Sequence, residues 1–239
     1  MIPVIRRTIF LLAAFFSIWS SPCAAEPAAF LMPHHEVSPL IDQTYDLIVK
    51  SGMKPDRIFV ISPDHFHRAV GKIVLGGNDP KTRELLQESG IQFDDPLTRR
   101  DHGVTVHAKR ISVLWPDVPL TTMIVSSKTP LAVLLVAAVK LSPLFAKNGL
   151  IILSSDLSHY KDVATSNAED DLTVAALLAQ DFRLFGQIKD DCPKGTWLFL
   201  KMLDRLNLHR SALIGRTNSG ELGGDKSSTT GHASIMYRR

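Results

Sequence analysis

The stretch Arg57-Ile58-Phe59-Val60-Ile61-Ser62-Pro63-Asp64-His65-Phe66-His67-Arg68 joins an apolar run to a cluster of groups that hold metals or move protons. Arg57 to Ile61 is β-branched and apolar, which predicts a buried strand. Ser62-Pro63 ends it, since proline has no N–H to give to a ladder. Asp64, His65 and His67 follow at once. In open α/β sheets, ligands gather beyond the carboxyl ends of strands. Taken alone, the stretch fits a solvated polar loop equally well, so the other histidine-bearing stretches must decide.

The 239 residues, 45% of them hydrophobic, suffice for a well-cored domain. A net charge of +3 without a basic run argues against nucleic acid as a partner. Residues 1–25 read as a signal peptide: Arg6-Arg7, an apolar run from Thr8 to Trp19, then Cys23-Ala24-Ala25 before Glu26. The expectation is an exported, periplasmic protein whose domain is 26–239. A membrane is met only if that segment stays uncleaved. Removing it leaves Cys192 as the single cysteine, which excludes a disulfide within the domain. A lone thiol in an oxidising compartment is either buried and inert or a ligand.

Outward from the opening stretch, the same design recurs. Ala28 to Pro33 reads as a strand followed by His34-His35-Glu36. Ser38 to Lys50 reads as a helix ended by Gly52, so strand, helix and strand form a parallel pair with a right-handed crossover. His34 and His65 then meet at neighbouring strand ends. Residues 93–100 read as a loop, leading to Asp101-His102-Gly103 and a helix over Val104 to Leu114. His102 and His107 are five apart, so they share no helix face. Pro130 to Leu141 reads as a buried apolar helix. Gly149 to Ser154 is a central strand ending in Ser155-Asp156-Leu157-Ser158-His159. There Asp156 either orients His159 or caps the next helix. Cys192 stands at a helix N-terminus, a location that favours the thiolate. His209 and His232 lack acidic company and read as structural. Imidazoles with a thiolate suit iron, copper or zinc.

These motifs, in this order, resemble the Memo family, also called AmmeMemoRadiSam system protein B. Met32-Pro33-His34 matches its strand-Pro-His motif, and Pro63-Asp64-His65 is similar to its Pro-Ser-His. Asp101-His102-Gly103 through His107 resembles its acidic-His-Ser segment. Ser154-Ser155-Asp156-Leu157-Ser158-His159 is similar to its Ser-Ser-Asp-Phe-x-His. Cys192-Pro193 and Ser228 to Ala233 match its last two motifs. The first motif departs: Pro-His-Ala-Gly-Tyr is here Pro33-His34-His35-Glu36, so His35 either joins or replaces His34 as a ligand candidate.

The resemblance implies an α/β single domain with a mixed, mostly parallel central sheet flanked by helices, the fold shared with class III extradiol dioxygenases. It implies a metal centre of His34, His65 and Cys192, with His102, Asp156 and His159 lining the pocket. The cofactor expected is iron or copper. One function that follows is a metal-dependent oxidoreductase in which His102 or His159 moves protons to and from a small-molecule substrate. The other is a periplasmic protein that binds copper, iron or another ligand without turnover. Within the opening stretch, His65 becomes the ligand, Asp64 its partner and His67 an outer residue. Neither substrate nor oligomeric state is written in these residues.

Overall fold

The computed structural model describes residues 28–35, 38–87, 89 and 91–239; the N-terminal segment read as a signal peptide lies outside them. Three apolar runs make the centre of the sheet: β1 (Ala28–Met32), β2 (Arg57–Pro63) and β6 (Gly149–Ser154). Both faces of these strands are covered, so alternate residues enter different cores. Ala29, Leu31, Phe59, Ile61, Ile151 and Leu153 face one cluster. Phe30, Met32, Ile58, Val60, Leu150 and Ile152 face the other. A strand buried on both sides has no polar face to show, which explains the continuous apolar runs.

The remaining elements, in chain order, are α1 (Ser38–Lys50), β3 (Ile73–Gly77), α2 (Pro80–Gln87), β4 (Gln92–Phe93), α3 (Asp95–Arg100), α4 (His102–Leu114), β5 (Leu120–Val125) and α5 (Leu131–Leu141). After β6 come β7 (His159–Lys161), α6 (Val163–Ala179), α7 (Pro193–Leu206), β8 (Arg210–Asn218) and β9 (Thr229–Arg238). The strand order is β4-β3-β5-β2-β6-β1-β9-β7, with β8 on β9. The inner four, β5-β2-β6-β1, are parallel. Antiparallel pairing of β3 with β5 and of β9 with β1 makes the sheet mixed. α1 and α4 cover one face through Ile41, Tyr45, Ile48 and Ile111. α5, α6 and α7 cover the other through Leu134, Ala138, Val174, Leu177, Leu198, Phe199 and Leu203.

Several expectations change. β1 and β2 are parallel but not adjacent, because β6 pairs with both and lies between them. Pro63 is the last residue of β2, level with Val125, rather than the residue that breaks it. Residues 93–100 are not a loop. Asp94 accepts from Leu97 N at 2.9 Å and caps α3, with Pro96 in its first turn. α5 is only half buried: Leu131, Leu135, Val136 and Val139 are each 43–47% exposed. A continuous apolar sequence carries no period from which to read its buried face.

Candidate metal centre

The three central strands deliver their chemistry to one edge. His34, His65 and Asp156 each lie two residues beyond a strand, β1, β2 and β6. Parallel register sets the strand ends level: Met32 pairs with Ser154, and Ile61 with Leu153. α4 starts above them. Its N-cap, Asp101, accepts from Gly103 N at 3.0 Å and from Ser62 Oγ at 3.0 Å. The same carboxylate meets His65 Nδ1 at 2.9 and 3.0 Å. One buried aspartate thus caps a helix and orients an imidazole.

These bonds fix the tautomers. A carboxylate only accepts, so His65 Nδ1 carries a proton, which leaves Nε2 as the nitrogen that takes either a second proton or a metal ion. Ser154 Oγ gives its single proton to Gly103 O at 2.8 Å. Its contact with His34 Nδ1 at 3.1 Å therefore takes a proton from the ring, and His34 Nε2 is left in the same position. The two Nε2 atoms face each other at 3.0 Å. Asp191 Oδ2 stands beside them, 3.0 Å from His34 Nε2 and 3.8 Å from His65 Nε2. That oxygen is buried and makes no hydrogen bond of normal geometry. Electron-rich atoms this close repel unless a proton or a metal ion joins them.

The electrostatics agree. Burial opposes charge on His65, yet Asp101 and Asp191 outweigh it and raise its pKa to about 9. Burial likewise opposes charge on Asp156, but His34, His232 and His35 hold it well below the usual carboxylate range. His102 goes the other way: burial, then His65 and His34, lower it to about 4. Its ring lies 3.7 Å from that of His65, centroid to centroid, and is partly exposed. A neutral, accessible imidazole beside a cation-seeking pair is placed to accept a proton.

Among the described residues, groups of side chains with ligand atoms close enough to share an ion include His34, His65 and His102; His34, His35 and Asp156; and Asp156, His159 and Asp191. The site therefore holds His/Asp groups fit to bind a metal. Clefts also lie elsewhere. The one between α3, α4 and the β3–β5 edge, about 360 Å³, is lined by Asn78, Asp95, Arg99 and Thr105 and has no histidine or cysteine.

No family model matches the chain. It is, however, 25% identical over 230 residues to a MEMO1 family protein of Thermotoga petrophila, covering 88% of this chain and 82% of that one. A MEMO1 family protein of Sulfurisphaera tokodaii is 22% identical over 243 residues, covering 87% and 82%. A third, from Metallosphaera sedula, is 19% identical over 245 residues, covering 92% and 86%. Over most of its length the chain is thus similar to MEMO1 family proteins, at 19–26% identity. The crystal structure of the uncharacterized protein JW3007 from Escherichia coli K12 shares the fold, with a TM-score of 0.58 at 13% identity over 88% of this chain and 99% of that one.

Of the six site residues that the resemblance implies, the structure gathers five at this edge. His34, His65, His102 and Asp156 converge as described. His159 sits at the rim: its Nδ1 donates to Leu157 O at 2.8 Å, and its ring lies 6.0 Å from that of His35. Cys192 is the exception. It is the N-cap of α7, but its side chain belongs to the apolar core beside Ile61 and Leu153. Burial first, then Asp191 and Asp190, push its thiol well above the usual range, which overrides the helix N-terminus expected to lower it.

Two further assignments shift. Asp64 does not serve His65; its carboxylate accepts from Arg68 N and Ala69 N and closes a turn. Asp156 does not cap α6, a task taken by Asp162. It instead accepts from His34 N at 3.0 Å, from His232 Nδ1 at 3.2 Å, and from His35 Nδ1. His232, read as structural, is thus an orienting partner of the site. Asp191, in the connector before α7, also faces the pair. Its one signal in the sequence is a carboxylate next to the family's cysteine position.

Proposed function

We propose that this chain is a metal-dependent oxidoreductase acting on a small molecule, with chemistry akin to that of the extradiol dioxygenases that the Memo family resembles. The observation that carries the reading is the pair of facing Nε2 atoms, His34 and His65, held 3.0 Å apart beside a buried carboxylate. An iron ion bound there would supply a Lewis-acidic, redox-active centre. The protein's own contribution is orientation and proton handling. Asp101 and Ser154 lock the two ligand rings through their Nδ1 atoms. Asp156 fixes the His34 backbone and the rings of His35 and His232. His102, kept neutral, takes a proton from an incoming hydroxyl, and His159 at the rim returns one. The apolar run before Ala25 supports export, with action in the periplasm. Among the described residues no helix is long and apolar enough to cross a membrane.

The test begins with metal analysis of the purified protein, which should carry about one iron per chain, the content a three-ligand face implies. His65→Ala should lose it. The Fe(II) form is then given O₂ and a panel of catechols. Oxygen uptake that falls on replacing His102 or His159 supports the enzyme. A loaded protein that consumes no oxygen with any member of the panel favours a metal-binding role without turnover.

A further inference from the structure

The third ligand is where this chain parts from its family. The resemblance implies a thiolate, yet the structure sets a carboxylate in that place. We propose that Asp191 Oδ2, and not Cys192 Sγ, completes the cation site with His34 Nε2 and His65 Nε2, giving a two-histidine, one-carboxylate face for a divalent first-row transition ion. This rests on the reading of the His34–His65 pair as metal ligands.

Distances carry the argument first. Donors about 2.1 Å from one ion lie about 3.0 Å apart at right angles and about 3.4 Å apart at tetrahedral angles. The three separations here are 3.0, 3.0 and 3.8 Å. Satisfaction is the second point. Asp191 Oδ1 is used, accepting from Ser155 Oγ at 2.9 Å and Asp156 N at 3.2 Å. Those bonds leave Oδ2, buried and without a donor, turned to the imidazole pair. Rigidity is the third. Asp191 N donates to Asp156 O at 3.1 Å and Asp191 Oδ1 accepts from Asp156 N, so one backbone and one side-chain bond tie this residue to the β6 end. Asp191 is therefore anchored to the sheet while lying in a connector.

Cys192 is directed elsewhere for a visible reason. A Cβ on Gly195 would fall 2.3 Å from Cys192 Sγ, so the thiol rests against the first turn of α7 where only glycine leaves room. Beyond it are Ile61 and Leu153 in the core. One residue of chain turns the carboxylate to the ligands and the thiol away. Replacing sulfur by oxygen also changes the expected ion. Thiolates favour Cu(I), whereas two imidazoles and a carboxylate with open positions suit Fe(II) and its divalent neighbours.

Cobalt(II) added to the metal-free full chain tests this without relying on activity. A thiolate ligand gives an intense sulfur-to-cobalt charge-transfer band in the near ultraviolet; the wild-type complex should lack it. Cys192→Ala should bind Co(II) within about threefold of wild type, and Asp191→Asn at least about 100-fold more weakly, the upper end seen for supporting residues. Asp191→Glu should recover part of the loss. A charge-transfer band in the wild type that disappears in Cys192→Ala overturns the proposal, and the wild-type spectrum decides even if a variant fails to fold. Tight binding by His65→Ala would instead remove the histidine-pair reading beneath it, a result separable from the choice of third ligand.

Discussion

Gly103 shows how finely single residues set this site. A Cβ there would fall 2.3 Å from Ser62 Oγ and 3.1 Å from both His65 Cε1 and Ser154 Oγ. Those three groups are the supports of one ligand ring, the ring itself and the support of the other. Gly103→Ala should therefore weaken metal binding about 10-fold or more, as loss of ligand orientation does. It should also cost about 1–3 kcal/mol from overpacking. Competition titration and urea unfolding measure the two; an unchanged metal affinity would show that the ring positions tolerate slack. At this scale His34, His65 and His159 were legible because each follows an apolar run and a turn. Asp191 and His232 were not, since a lone carboxylate or imidazole in a connector or strand looks the same whether or not it faces a site.

Elements meet on polar contacts as well as apolar ones. Tyr45 of α1 and His107 of α4 are buried together under the sheet, with the phenol oxygen 3.1 Å from His107 Nδ1. Tyr45→Phe keeps the ring and strands that nitrogen, so it should destabilise the fold by about 1–3 kcal/mol. Metal affinity should stay as it was, because neither residue touches the ligand pair. A loss under about 0.5 kcal/mol would mean that water or a shifted ring satisfies the imidazole. Most elements could be read from the sequence, because strands β1, β2 and β6 are nearly continuous apolar runs with polar residues beyond them. Their order could not. Nothing local to Gly149–Ser154 says that it inserts between Ala28–Met32 and Arg57–Pro63, since that choice is made by contacts across more than 80 residues of chain. The exposed side of α5 was hidden for the opposite reason, an excess of apolar residues.

Over the whole molecule, the buried histidines set the response to pH. Burial, helped by the charges of His34 and Arg110, lowers His107 from 6.5 to about 3. Between those values the unfolded chain holds a proton that the folded chain refuses. Stability is therefore full above pH 6.5 and falls as the pH drops toward 3, by up to about 1.4 kcal/mol per pH unit. His65, raised to about 9, acts with the opposite sign: its contribution is complete below 6.5 and is lost as the pH rises through 9. Urea midpoints of the metal-free chain should peak near neutral pH. His107→Gln should flatten the acid limb, and an acid limb as steep as wild type would place the titrating group elsewhere. The insertion of β6 between β1 and β2 has one more consequence, and it concerns time. His34, His65 and Asp191 become neighbours only when a sheet joining both ends of the described chain is complete. Contacts so distant in sequence form late. An ion bound to them cannot serve as a folding nucleus and enters only a finished protein. Metal should leave the refolding rate as it is and slow unfolding, so that its stabilisation appears as a longer native lifetime rather than a faster route to the native state.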